Sequence, residues 1–189
     1  MKKLLSALFF LGLMYILWPG PNVITDFPPL PGSFKSYFPG DTYQNPNIAA
    51  YYSDFERMYV TQYYRNFFEK SNFWIFVPTI RLNHAPELAY QYIRDQQEST
   101  YLEEFTYPLR VSLFVNGYEP KIENQIYHRV SGFLGNHIEL NNHYYVSKTT
   151  IRYYPTPILW RIVVYIGIWG CLYLLWYSLK VTVKRNNYE

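Results

Sequence analysis

Residues 158–179 read ILWRIVVYIGIWGCLYLLWYSL, and after Arg161 no charged residue occurs for eighteen positions. As a helix this stretch is about 33 Å long, enough to cross a bilayer core of about 30 Å. Lys180, Lys184 and Arg185 follow it. The stretch predicts a membrane-spanning helix with a short basic tail at 180–189, and it makes the preceding chain a domain held at a membrane surface.

The N-terminal segment has the same character in a shorter form. Lys2 and Lys3 precede an apolar run that ends at Trp18, before Pro19-Gly20-Pro21. A positive start and an apolar core are the pattern of a secretory signal. No pair of small residues offers a cleavage site after the run, so residues 1–18 are expected to stay as a signal anchor; a cleaved signal peptide is the alternative. The positive-inside rule places both basic ends in the cytoplasm and the central domain outside it.

Charge is distributed accordingly. Residues 19–157 hold eleven Lys/Arg and thirteen Asp/Glu, whereas six of the seven charges in or beside the apolar ends are basic. The net charge of +3 therefore belongs to the anchors, and no basic patch on the domain points to nucleic acid. The single cysteine, Cys171, lies inside the apolar stretch, so the domain has no disulfide. Its 22 Tyr and 13 Phe are the expected source of core area. The chain contains no N-x-Ser/Thr site, which agrees with a bacterial cell membrane.

Residues 19–45 hold six of the thirteen prolines and form an extended lead, since proline fixes φ and removes donors. Phe27, Leu30, Phe34, Tyr37 and Phe38 suggest that this lead packs along the domain surface. The domain itself, residues 46–157, reads as α+β: a small antiparallel sheet with two helices. Asn45-Pro46 is expected to open a long amphipathic helix running to Lys70, with Tyr51, Phe55, Tyr59, Tyr63 and Phe67 recurring every fourth residue. A strand is expected over 72–82, with a bend or an edge at Pro78, and a second, short helix from Pro86 to Gln97. Strands follow at 100–107 and 109–115. Asn116-Gly117 is the strongest local hairpin signal and predicts a turn, with a returning strand at 121–130. A second hairpin is predicted around Asn141-Asn142, its strands covering 137–140 and 143–154.

Chemical motifs are sparse. His137, Glu139 and His143 are ligand types that bind zinc, although a turn at Asn141-Asn142 would break their common strand. Asp95, Glu98, Glu103 and Glu104 form an acidic run that reads as a solvated helix end. No nucleotide-binding glycine loop or nucleophile motif occurs, and no cofactor is implied. Arg161, Trp160, Trp176, Lys180, Lys184 and Arg185 are the expected membrane-anchoring residues. The leading expectation is a non-enzymatic accessory or interaction subunit that docks on an integral membrane protein partner. A carbohydrate- or lipid-binding envelope module is the alternative, and a metal-dependent hydrolase a third.

Overall fold

Strand β5 (Val111–Tyr118) lies between two long antiparallel neighbours, β4 (Tyr101–Tyr107) and β8 (Ser147–Pro155). The computed structural model describes residues 2–42, 47–72, 77–93, 99–119 and 138–186. Among these, β1 (Phe34–Lys35), β2 (Ile48–Ser53) and β3 (Ile80–His84) complete a six-stranded sheet of order β1-β2-β8-β5-β4-β3. Every neighbouring pair is antiparallel. A separate two-stranded hairpin joins β6 (Ile138–Leu140) to β7 (His143–Tyr145). The described helices are α1 (Lys2–Leu17), α2 (Pro39–Thr42), α3 (Arg57–Asn72), α4 (Ala89–Tyr92) and α5 (Ile158–Asn186). The α+β class expected from the sequence is the class observed.

The chain divides into two compact units, a helical one containing α1 and α5, and a domain, Pro19–Pro155. In the domain, register sorts the side chains onto two faces. Tyr101, Glu103, Phe105 and Tyr107 of β4 share a face with Val111, Leu113 and Val115 of β5 and with Ile151 and Tyr153 of β8. Helix α3 covers this face with Val60, Tyr64 and Phe68, all fully buried, and Phe68 stacks on Tyr107. Leu102 and Phe114 point the other way and pack with Ala89 and Ile93 at α4.

The proline-rich lead is part of the core, beyond the surface packing expected. Ile24, Phe27 and Leu30 are buried. The Phe27 ring lies between Phe67 of α3 and Tyr153 of β8, at 5.2 and 5.0 Å between centroids. Prolyl carbonyls accept from tyrosine hydroxyls: Tyr153 donates to Pro21 at 2.7 Å and Tyr63 to Pro29 at 2.9 Å. Those hydroxyls would otherwise need other polar partners.

Two expectations are corrected. The single long helix over 46–70 is a strand followed by a helix. All six residues of β2 are buried, so it needs the two-sided cover that a strand between β1 and β8 obtains. Tyr51 therefore belongs to β2, and α3 begins only at Arg57. The buried stripe of α3 is Val60, Tyr64 and Phe68, one residue on from the predicted row. Secondly, Asn116-Gly117 is not a turn. Both residues lie inside β5, paired to Leu102 and Tyr101 on one side and to Thr150 and Thr149 on the other. Glycine is needed here for close approach, because a Cβ on Gly117 would sit 2.1 Å from the Tyr101 ring. The turn between β4 and β5 is instead Pro108, Leu109 and Arg110, with Leu109 left-handed at φ 65°.

Other expectations are met or met in part. Asn141 and Asn142 have φ 55° and 60° and join β6 to β7 by a two-residue turn, because left-handed backbone at both positions suits asparagine. The strand expected over 72–82 is β3, starting at Ile80, with Asn72 still in α3. The helix expected from Pro86 is a 3-10 turn followed by α4. Its continuation over 94–97 and the strand expected over 121–130 lie outside the described residues.

Gly117→Ala should destabilise the protein by about 1–3 kcal/mol, the usual penalty for overpacking. Gly40→Ala, with open space around its Cβ position, should stay within about 0.5 kcal/mol of wild type. Thermal unfolding of the two variants in one detergent checks both.

Candidate functional site

Strand β3 stands at the end of the sheet, and its sequence alternates: Ile80, Leu82 and His84 share one face, Arg81 and Asn83 the other. Opposite Asn83 on β4 is Glu103, whose side chain is fully buried. A buried carboxylate needs charged or hydrogen-bonding partners. Arg81 supplies two bonds, from Nε to Oε2 at 2.7 Å and from Nη2 to Oε1 at 2.8 Å. Arg57, at the start of α3, donates from Nε to Oε1 at 2.9 Å, and its Nη2 reaches Asn83 at 2.8 Å. The Arg57 guanidinium also lies over the Tyr101 ring, 5.0 Å from its centroid. Glu103 thus ties the edge strand and the first turn of α3 to the sheet. The bond to Glu103 holds Arg81 above the usual arginine value.

The opposite face has a second polar set. His84 Nε2 lies 2.8 Å from the Glu104 carboxylate, and Ser112 Oγ donates to the other Glu104 oxygen at 2.6 Å. The carboxylate sits between the imidazole and the hydroxyl. In a nucleophile relay the histidine occupies that central place, so this set orients side chains and does not activate Ser112. His84 is stacked near Tyr92 and Phe114, which are themselves stacked at 4.7 Å.

Glu119 is a further acid near the start of α3. It follows β5 and accepts from the backbone N–H of Arg57, satisfying one of the donors that open α3. Burial raises its carboxyl above the ordinary glutamate value. The Arg57 N–H pulls the other way, and Glu56 adds to the rise.

The residues singled out for metal binding do not share one surface in the described hairpin. Glu139 pairs with Tyr144 and His143 with Leu140, so the β6–β7 register sends Glu139 and His143 to opposite faces. His143 contacts Asp54 at 3.2 Å, with both side chains more than half exposed. His137 lies outside the described residues. Among the described residues no three His, Cys, Asp or Glu side chains cluster as a metal site would need.

In the helical unit, Arg161 Nε donates to the Thr156 carbonyl at 2.6 Å, which occupies this charge near the helix start. Trp160 and Trp176 are exposed, and the Lys180 ammonium lies 5.2 Å from the Trp176 ring centroid. Lys184 and Arg185 fall on α5, beyond Lys180. Residues 158–183 are long and apolar enough to cross a membrane. Helix α1 packs on α5: the Tyr165 hydroxyl donates to the Phe9 carbonyl at 2.6 Å, and Phe9 meets the rings of both Tyr165 and Trp169. Gly12 allows this approach, since a Cβ there would lie 2.4 Å from the Tyr165 oxygen.

Two apolar features stand out on the domain. Ile80 and Leu82 are 48% and 41% exposed on the edge strand. The row of Phe55, just before α3, with Tyr59 and Tyr63 on it lies ring on ring at 4.1 and 6.4 Å with interplanar angles of 22° and 18°. Rings stacked in this way spend their faces on one another, whereas sugar stacking needs an open face. Sequence reading missed the edge strand's role, although the alternation of Ile80, Arg81, Leu82 and Asn83 was its signal. Comparison of this chain with protein-family models, with curated proteins and with solved structures finds no match.

The raised carboxyl of Glu119 gives a pH dependence of known sign. The folded chain takes up this proton at a higher pH than the unfolded chain. The stabilising contribution is therefore complete below the ordinary glutamate value and lost as pH rises through the raised one. Glu119→Gln removes it. Between about pH 4 and 7 the gap in Tm between variant and wild type should move in the variant's favour as pH rises. A gap independent of pH would show that Glu119 does not titrate in this window.

Proposed function

We propose that this protein is a membrane-anchored accessory subunit whose extracytoplasmic domain docks on an integral membrane protein. The observation that carries the reading is the edge strand. Ile80 and Leu82 are exposed on a strand that, among the described residues, has a neighbour on one side only. Native proteins guard such edges, because an unpaired ladder with apolar side chains invites association. The stacked aromatic row and Met58, 82% exposed at the start of α3, add apolar surface.

The anchoring half of the proposal rests on the helical unit. Going from Gly12 to Phe9 along α1 corresponds to going from Tyr165 to Trp169 along α5, so the two helices run antiparallel. Antiparallel packing brings Lys2-Lys3 and Lys180 to the same end of the pair, in keeping with two cytoplasmic termini. Helix α1, at about 24 Å, is short for a bilayer, and packing on α5 compensates for its length. The close contact of Gly12 with Tyr165 supports reading residues 1–18 as a signal anchor.

Purification of the full-length protein from its own membranes in mild detergent tests the reading. The expected result is a stoichiometric integral membrane partner, with an intact mass that includes residues 1–18. A lone monomer or homodimer would remove the accessory-subunit reading, and a mass lacking the first eighteen residues would remove the anchor. Gly12→Leu should separate the helices, lowering stability in detergent by about 1–3 kcal/mol, whereas Gly167→Leu, in open space, should not.

A further inference from the structure

We propose that β3 receives an extended segment of the partner protein as a seventh strand, and that the segment alternates apolar with acidic residues. The inference rests on the accessory-subunit reading and names the chemistry of its partner.

Four observations converge on β3. Among the described residues it is the terminal strand of the sheet, and each of its residues except His84 is exposed. The covers touch it only at one end: Arg57 of α3 bonds Asn83 and Tyr92 of α4 stacks near His84, while Ile80 and Leu82 stay in the open. Its two faces differ in chemistry, with Ile80 and Leu82 on one and Arg81 and Asn83 on the other. Lastly, the guard that an edge charge normally provides is turned aside. Arg81 bends onto Glu103 through two nitrogens, leaving the backbone edge unobstructed.

Strand addition supplies affinity through the main chain and specificity through alternate side chains. Residues of an added strand opposite Ile80 and Leu82 continue an apolar face. Those opposite Arg81 and Asn83 meet two guanidinium groups, Arg57 and Arg81, whose side chains are 38% and 49% exposed while Glu103 beneath them is fully buried. Acidic side chains fit there. A second copy of this chain does not: pairing β3 with itself would bring two arginines from each chain onto one face, and like charges across a sheet repel. Five residues of β3 offer about 17 Å of ladder, and Pro78 and Pro86 bound it.

The test uses the full-length protein in detergent. The probe is a capped seven-residue peptide alternating valine and glutamate, with a valine–lysine peptide and a scrambled valine–glutamate peptide as controls. Hydrogen exchange at residues 80–84 should slow by roughly tenfold with the alternating acidic peptide and little with the controls, because an added strand protects edge amides. Ile80→Lys with Leu82→Lys should abolish this protection while leaving circular dichroism and Tm unchanged, since both side chains are exposed. Equal protection by the lysine peptide, or no protection at 80–84, overturns the proposal. The same double variant is then purified from native membranes. Loss of the partner supports the edge as its docking place, whereas a partner retained as in wild type overturns the proposal and leaves the accessory reading standing. Protection by the peptide in a protein that copurifies with nothing sinks the accessory reading and keeps the acidic-strand specificity of the edge.

Discussion

A sheet buried on both faces needs two covers, and that requirement organises the domain. Buried side chains occur on both faces of β2, β4, β5 and β8. A helix of sixteen residues such as α3 spans about 24 Å and cannot cover six strands at once. The lead fills the remainder of that face. Phe27 and Leu30 sit where a second helix would otherwise stand, and Phe27 touches α3 and β8 together. Prolines make this possible: an extended segment with few donors can be buried if its carbonyls are met, and Tyr153 and Tyr63 meet them. The other face is closed by the short segment at α4. There the Tyr92 carbonyl accepts from both Arg152 and Tyr154 of β8.

What was legible in the sequence follows from which interactions are local. The Asn141-Asn142 turn is decided by two residues' own backbone preferences, and it is where it was expected. The apolar helix at the C-terminus is decided by composition over a long window, and it too is present. Asn116-Gly117 carries the same local signal as the true turn, but here a neighbour overrides it. Tyr101 lies across the strand and needs the space that only glycine leaves. The long helix failed for a related reason. Tyr51 fits a four-residue period with Phe55 and Tyr59, yet β2 is placed by strands distant in sequence, β8 above all. The row of aromatics on α3 was visible, but its orientation was one residue off. Tyr64 and Phe68 face the sheet, and the predicted row is half outside, stacked on itself.

The candidate site was legible in composition and not in partnership. Glu103 and Glu104 are sequence neighbours in an acidic run that reads as solvated. As strand neighbours they face opposite ways. One is buried under two arginines from α3 and β3, and the other meets His84 and Ser112 on the far face. Neither assignment is available until the run is recognised as a strand. Arg57 shows the same dependence: α3 begins with it, so its side chain reaches the sheet.

The manner in which β3 is held bears on the strand addition proposed for it. Packing does little for a strand exposed on both faces. Its hold on the domain comes from the ladder to β4, from the Arg81–Glu103 bonds on one face and the His84–Glu104 contact on the other. Thr79 adds a bond from its hydroxyl to the Thr106 carbonyl at 3.0 Å. A partner strand arriving on the open side disturbs none of these, because they all point back into the sheet. No core residue has to move, so the main cost of docking is the order imposed on the incoming segment. An edge secured by polar pairs to its neighbour, and carrying Ile80 and Leu82 in the open, would on the proposed reading accept a further strand without repacking.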